Sequence, residues 1–384
     1  MAERQVPTIY DVAREAGVAP STVSRAFARP DRVNAGTAER IRAVAAELGF
    51  RPNPMARALP TGRTSMIALV VPDLANPCWA EIVRGAQAAA ARCGYALLLA
   101  STDGSRQVTL PLAPEVAAAP ICGEITPAAT WSAHPVAAGG EQEALDRTLS
   151  IADGVVIATP GWTEAEVLAI AAQRPVVLLD RAVAGVPSVI TDNPRGMRQT
   201  VAHLAALGHD HVTYLGGPAE SWADAVRRGS LRQAGTEQGV QSRRIGPFPP
   251  TVAGGGAAAE ELLRQPTTAV IAHNDLMAMG LIRALAGRGL RVPADISVVG
   301  FDGIFVADLM MPALTTVAAP LRLMGDTAVR HLLAVIGGAP PSVGEPLTLR
   351  ASLVVRDSTA RRPRQAAPAS AGRGSAADRV EPER

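Results

Sequence analysis

The chain has 384 residues, enough for two or three domains with a full hydrophobic core. Its formal net charge is only +2, yet residues 1–63 hold ten arginines against six acids, so a basic head precedes a near-neutral body. Three cysteines, Cys78, Cys93 and Cys122, fit neither a zinc spacing nor a disulfide framework; no apolar run is long enough for a bilayer and the polar N-terminus carries no secretory pattern, so a reducing cytoplasm is the expected location.

The first element reads TIYDVAREAG. Ile9, Val12, Ala13 and Ala16 recur at i, i+3, i+4 and i+7, one apolar face of a helix. Gly17 follows where a helix end tolerates positive φ, and Val18 can turn inward at the corner. Pro20 suits the first turn of a second helix, where its missing N–H costs nothing. Val23 and Phe27 would pack that helix on the first, leaving Ser21, Thr22 and Arg25 facing outward. Hydroxyls and a guanidinium on one short helix read as a recognition helix, because arginine can pair bidentately with guanine. The competing reading is a small bundle with an ordinary solvated face. A third helix over 37–48 presents Ile41, Val44, Ala45 and Leu48, with Gly49 as its stop and Asn34 as its cap.

Phe50 to Thr64 holds Pro52, Pro54 and Pro60 around MARAL, too short for a helix stable alone, and reads as a hinge that orders when held. From Ser65 onward apolar strands (MIALVVP, YALLLAS, GVVIATP, PVVLLD, SVITD, HVTYLGG, TAVIAH, ISVVGFD) alternate with helical stretches at about 79–93, 164–173, 194–207, 222–239, 256–264 and 275–289. That alternation predicts parallel sheets covered on both faces, with ligands beyond the carboxyl ends of the strands. Asp73, Asp180, Asp192, Asn193, Asn274, Asp275 and Asp302 stand at those ends. Each alone could be a helix cap, whereas together they point to a polar cleft. Residues 104–140, rich in Ala and Pro, lack helical period and read as an irregular insertion. The tail 358–384 reads as disordered. His209 and His211 are expected as surface or packing residues rather than metal ligands.

The ordered series IYDVAREAGV, STVSRAF, ELGFRPNPMARALPTGRT, VVPDLANP, LLDR, TDN, LGHDHVTYLGGP, SW, AVIAHNDLMAMG, GLRVPADISVVGFDG and PALTTV resembles the lactose-repressor (LacI/GalR) family of bacterial regulators. The resemblance spans residues 6–103 and 141–357. It implies an all-α helix-turn-helix head (1–50), a hinge (51–63) and an α/β core (64–357) of two doubly wound parallel-sheet subdomains of periplasmic-binding-protein type. By that mapping subdomain one takes 64–180 and 320–338, and subdomain two takes 182–318 and 346–357. It also implies a homodimer, in some members a tetramer, on a pseudo-palindromic double-stranded operator.

Carried over residue by residue, Pro20, Ser21, Thr22 and Arg25 match the base-contact positions. Tyr10, Ser24 and Asn34 match phosphate contacts, which fix register without reading sequence. Ala56, Arg57 and Leu59 match the minor-groove hinge helix, in which a leucine wedges into the central step. Ala19 stands where the family often has a capping serine. An effector such as a sugar or related metabolite is expected between the subdomains, at Asp73, Asn76, Trp79, Asp192, Trp222, Arg227, Asn274 and Asp302; Asp192 is assigned to the second subdomain's first strand, and Phe301 to the core. The family arginine three residues before a glycine is replaced by Val226 before Gly229, so Arg227 serves only if the register shifts by one. No cofactor or metal is implied.

Three other classes compete. A pure solute-binding protein would need export and would have no use for residues 8–59. An enzyme would need a nucleophile–base pair, GxSxG, HExxH or a phosphate-binding glycine loop, and none is present in the sequence. A regulator with an impaired or ligand-independent sensor is favoured by the insertion.

Overall fold

The computed structural model describes residues 7–28, 30–50, 63–102, 140–158, 161–265 and 267–362. The hinge positions Ala56, Arg57 and Leu59 and nearly all of the 104–140 insertion lie outside them.

The head consists of α1 (Ile9–Glu15), α2 (Pro20–Ala28) and α3 (Ala35–Leu48), with a 3-10 turn at Pro30–Arg32. Thr8 starts α1: its N–H and hydroxyl donate to Asp11 Oδ2 at 2.9 and 2.7 Å. Gly17 and Gly49 follow α1 and α3 at φ of +62° and +71°, where a Cβ would be strained. Val12, Ala13, Ala16, Val23, Ala26, Ala38, Ile41 and Ala45 form the core, with Phe27 and Phe50 packed against it. Leu48, expected inward, is exposed: the face of α3 is carried by Ala38, Ile41 and Ala45, and Leu48 sits in its last turn, past the two partner helices.

The chain divides into two compact units, Met1–Ile190 with Leu321–Thr348, and Thr191–Pro320 with Leu349–Arg384. The first sheet has the order β11-β5-β4-β3-β1-β2, from β1 (Met66–Val71), β2 (Ala96–Ser101), β3 (Gly154–Ile157), β4 (Val176–Leu179), β5 (Ser188–Thr191) and β11 (Leu347–Leu349). β1 pairs in parallel with both β2 and β3. Helix α5 (Gly140–Ile151) and α6 (Glu164–Ala171) cover one face, where Leu149 and Val167 join Val70, Val155, Ile157 and Leu178. Helices α4 (Pro77–Arg92) and α12 (Leu321–Ile336) pack together on the other. Their backbones touch: a Cβ on Gly85 would fall on the Arg322 carbonyl, and one on Gly325 on the Ile82 carbonyl.

The second sheet has the order β12-β10-β9-β8-β6-β7, with β6 (His211–Leu215), β7 (Gln241–Ile245), β8 (Ala269–Ala272), β9 (Ser297–Asp302), β10 (Thr315–Ala318) and β12 (Ser352–Val354). Its pairings are parallel except β10 with β12. Helices α7 (Asn193–Ala206) and α8 (Trp222–Gln238) bury Met197, Val201, Leu204 and Leu231 on one face. Helices α9 (Val252–Arg264) and α10 (Asp275–Ala286) bury Ala258, Leu262, Met277 and Leu281 on the other. The short α11 (Val306–Leu309) follows β9.

Two sequence boundaries need correction. The strand SVIT pairs in parallel with β4, Leu178 to Ser188 and Leu179 to Val189, so it belongs to the first sheet and the change of unit comes after Ile190 rather than near 181. Asp192 is therefore not in a strand of the second unit. It caps α7, accepting from Arg195 N at 3.0 Å. The core also continues past 357. Ser358 is fully buried, its Oγ donates to Val298 O at 2.6 Å, and Arg362 N donates to Leu207 O at 2.9 Å.

Candidate functional site

On the head, α2 exposes the expected reading face. Ser21, Ser24 and Arg25 are exposed, while Pro20 and Thr22 are half-buried at its N-terminal end. Val23 and Ala26 point into the core, so helical periodicity alone turns Ser21 and Arg25 outward together. Tyr10 is 71% exposed on α1. Asn34 is a cap: its Oδ1 accepts from Gly36 N at 3.0 Å and Thr37 N at 3.4 Å. A cap and a phosphate contact are compatible, since the Nδ2 end of the amide is a separate donor.

The expected effector residues divide between the units. In the first, Asp73 Oδ1 closes a turn by accepting from Ala75 N at 2.7 Å, Asn76 caps α4 through Cys78 N at 3.1 Å, and Trp79 is half-buried. In the second, Asp192 and Asn274 cap α7 and α10, the latter through Met277 N at 2.9 Å. Capping thus accounts for one bond at each of these positions. Asn274 Nδ2 also reaches Pro250 O at 2.9 Å. Trp222 is half-buried at the start of α8.

Arg227 is different in kind. It is 4% exposed, and its guanidinium lies 3.6 Å over the ring of Phe301. Nε donates to Asn193 Oδ1 at 3.0 Å, Nη1 to the His273 carbonyl at 2.6 Å, and Nη2 to Asp302 Oδ1 at 3.5 Å. Neighbouring Arg228 is exposed and Val226 half-buried. A Cβ on Gly229 would meet nothing, so this glycine marks no close approach, and Arg227 is the inward arginine of α8. Phe301 is fully buried, as expected, but also forms the surface on which Arg227 stacks. Asp302 ends β9 at φ +108°, an unfavourable backbone for aspartate that aims its carboxylate at Arg227.

Behind this group lies a second buried set. Asp224 Oδ1 accepts from Tyr214 OH at 2.9 Å and Gly217 N at 2.7 Å and lies 3.1 Å from His273 Nδ1, while Arg244 Nη2 reaches Oδ2 at 3.4 Å. Burial pushes the Asp224 carboxyl up, but His273, the Gly217 amide and Tyr214 together outweigh it and hold it below the usual range. Burial first, then the Asp224 charge, drives the Tyr214 phenol well above its usual value. Asn193 was visible in sequence only as a strand-end residue, and His273 carried no signal beyond its place before Asn274. Both owe their role to partners distant in sequence. Among the described residues no group of three or more His, Cys, Asp or Glu is placed to hold a metal, and no helix is long and apolar enough to cross a membrane.

An outward-facing recognition helix on a compact three-helix head, with two doubly wound sheets carrying polar clusters at their carboxyl ends, defines a DNA-binding regulator with a core of periplasmic-binding-protein type. Residues 8–53 match the model for bacterial regulatory proteins of the lacI family, and residues 201–359 that of the periplasmic binding protein-like domain. The chain is 31% identical to the HTH-type transcriptional regulator DegA of Bacillus subtilis (strain 168), over 92% of this chain and 98% of that one. It superposes on the lac repressor dimer bound to operator and the anti-inducer ONPF with TM-score 0.75 and 28% identity, covering 93% and 100% of the two chains. Against the transcriptional regulator CelR in its cellobiose complex the TM-score is 0.60 and the identity 30%, covering 92% and 99%. The chain belongs to the lacI family of bacterial transcriptional regulators.

Proposed function

We propose that this protein is a repressor that binds a pseudo-palindromic operator as a homodimer and releases or tightens it in response to a small neutral metabolite, a sugar or a close relative. The observation that carries the ligand half is the cluster of Asn193, Arg227 and Asp302 on Phe301, beside Asn274 at the carboxyl ends of β8 and β9. A guanidinium fixed against an aromatic ring, with amides and a carboxylate around it, offers the alternating donors and acceptors that a polyhydroxylated ring needs. CelR with cellobiose supports the sugar class, and the lac repressor on its operator supports the DNA-bound dimer.

Pro20, Ser21, Thr22 and Arg25 form the face of α2 that enters the major groove, with Arg25 pairing to a base edge; Tyr10, Ser24 and Asn34 touch phosphates, and Ala56, Arg57 and Leu59 belong to the minor-groove hinge. No catalytic group is assigned. A second copy fits the apolar surface of Phe305, Leu309 and Met311, exposed by 65, 74 and 96%. Ligand and operator are linked through a coupling free energy of about 1–3 kcal/mol. The test is a titration of the full chain on duplexes selected from a randomised palindrome, followed by thermal shifts against mono- and disaccharides and nucleosides. Selection of no sequence ends the operator reading. A sugar shift that survives Arg227→Ala ends the assignment of this cluster.

A further inference from the structure

Arg25 does not extend freely from α2. Its Nε donates to the Ser21 carbonyl at 3.1 Å and its Nη2 to Ser21 Oγ at 3.3 Å, one helical turn back. A guanidinium has two forked edges, Nε with Nη2 and Nη1 with Nη2. Ser21 occupies the first. The edge left to grip the O6 and N7 of a guanine is the terminal one, and its plane is set by the serine. Ser21 itself is poorly built for reading a base, because its Oγ stands two bonds from Cα and is already engaged as an acceptor. Pro20, the neighbour on the N-terminal side, has no side-chain donor with which to substitute.

Resting on the reading of α2 as the recognition helix, we propose that Ser21 is a positioning residue: it orients Arg25, so the base pair whose identity depends on Ser21 is the one Arg25 reads. Bidentate pairing demands coplanarity, and loss of the Oγ bond lets the guanidinium swing out of the base plane. Discrimination then falls at a single position of the half-site, while the phosphate contacts that set overall affinity remain.

The experiment uses the full-length chain and a duplex library with randomised inverted half-sites. Wild type, Arg25→Ala, Ser21→Ala, Ser21→Thr and the Ser21→Ala/Arg25→Ala double variant are each put through selection. Wild type enriches a guanine at one position per half-site, and Arg25→Ala loses it. Ser21→Ala lowers the preference at that same position about fivefold, leaves the slope of affinity against salt unchanged, and adds nothing in the Arg25→Ala background. Ser21→Thr, which keeps the γ-oxygen, restores the preference. The inference is overturned if Ser21→Ala relaxes a different position, since the serine would then read its own base, or if it relaxes none. If Arg25→Ala leaves every position unchanged, the assignment of α2 as recognition helix fails, and this inference with it.

Discussion

Thr316 Oγ1 donates to Asp275 Oδ1 at 2.5 Å, while Oδ2 of the same carboxyl accepts from the amides of Gly303 and Ile304, both at 2.9 Å. One fully buried acid thus ties the start of α10 to β10 and to the turn that follows Asp302. Burial pushes its pKa up to about 7, against the hydrogen bonds from Thr316, Ile304 and Gly303 and the charge of Arg356.

A pH dependence follows. The unfolded chain releases this proton near 3.8 and the folded chain near 7, so across that window the folded state binds more protons. Stability from this group is full below about pH 4 and declines as pH rises to 7. Asp275→Asn keeps the shape, with the amide oxygen accepting both backbone N–H groups and the amide nitrogen donating to Thr316. The variant should match wild type near pH 4 and exceed it at pH 8 by a few kcal/mol. Urea unfolding of both proteins at several pH values checks this. A constant difference across the window would rule out Asp275 as the titrating group.

Ser358 makes a comparable three-way clasp. Its Oγ donates to Val298 O at 2.6 Å and accepts from Thr315 N at 2.8 Å, and its carbonyl takes Val298 N at 2.8 Å. Ala360 O lies 3.0 Å from His209 Nε2, a histidine whose pKa burial lowers. Ser358→Ala should cost about 1–3 kcal/mol, because it strips buried backbone groups of partners that water cannot replace. A chain ending at Asp357 should lose more, and denaturant midpoints report both. Midpoints equal to wild type would mean that the segment only rests on β9.

The elements were legible because their periodicities are local: Val12, Ala13 and Ala16 announce α1, and ISVVGFD announces β9. The cap at Asn34, and the capping alternative at Asp192 and Asn274, were legible for the same reason, since a cap acts within three residues of itself. What failed was long-range. SVITD reads as a strand, but nothing within it says that it pairs with β4. STARR reads as tail, because Ser358 becomes structural only against Val298 and Thr315. Arg227 was weighed by its distance from Gly229, yet its place is fixed by Asn193, His273, Phe301 and Asp302, up to 75 residues away. Asp275 stood among the polar strand ends in sequence, with no sign that it would be buried beneath the turn rather than facing a ligand.

Arg227 should be intolerant of change. Arg227→Ala removes the cation facing Asp302 and the stack on Phe301, and should destabilise the core by about 3 kcal/mol. Arg227→Lys keeps the charge but cannot serve Asn193, the His273 carbonyl and Asp302 from one plane. It should fold better than the alanine variant and still lose any sugar-induced thermal shift. Unfolding curves give the first comparison and ligand-dependent melting the second. A lysine variant with wild-type ligand response would show that charge, rather than the fork, is what the cluster supplies.

Phe305, Leu309 and Met311 place three large apolar side chains on a short stretch from the start of α11 to just past its end, each mostly exposed in the single chain. Burying such a surface against a second copy removes apolar area from water without disturbing the core. Leu309→Arg, at a side chain that is 74% exposed, should therefore leave the melting of the isolated chain nearly unchanged while shifting sedimentation toward monomer. DNA binding should follow, because two linked heads bind a palindrome with an avidity that one head lacks, a gain of about 10²–10⁴. Affinity for a full palindrome should fall toward that for a half-site, whereas affinity for the half-site alone should hold. If Leu309→Arg stays dimeric at micromolar concentration, the copies meet elsewhere; the groove lined by Arg84, Gly85, Ala88, Arg322, Leu323 and Asp326 on the first unit is the next surface to test.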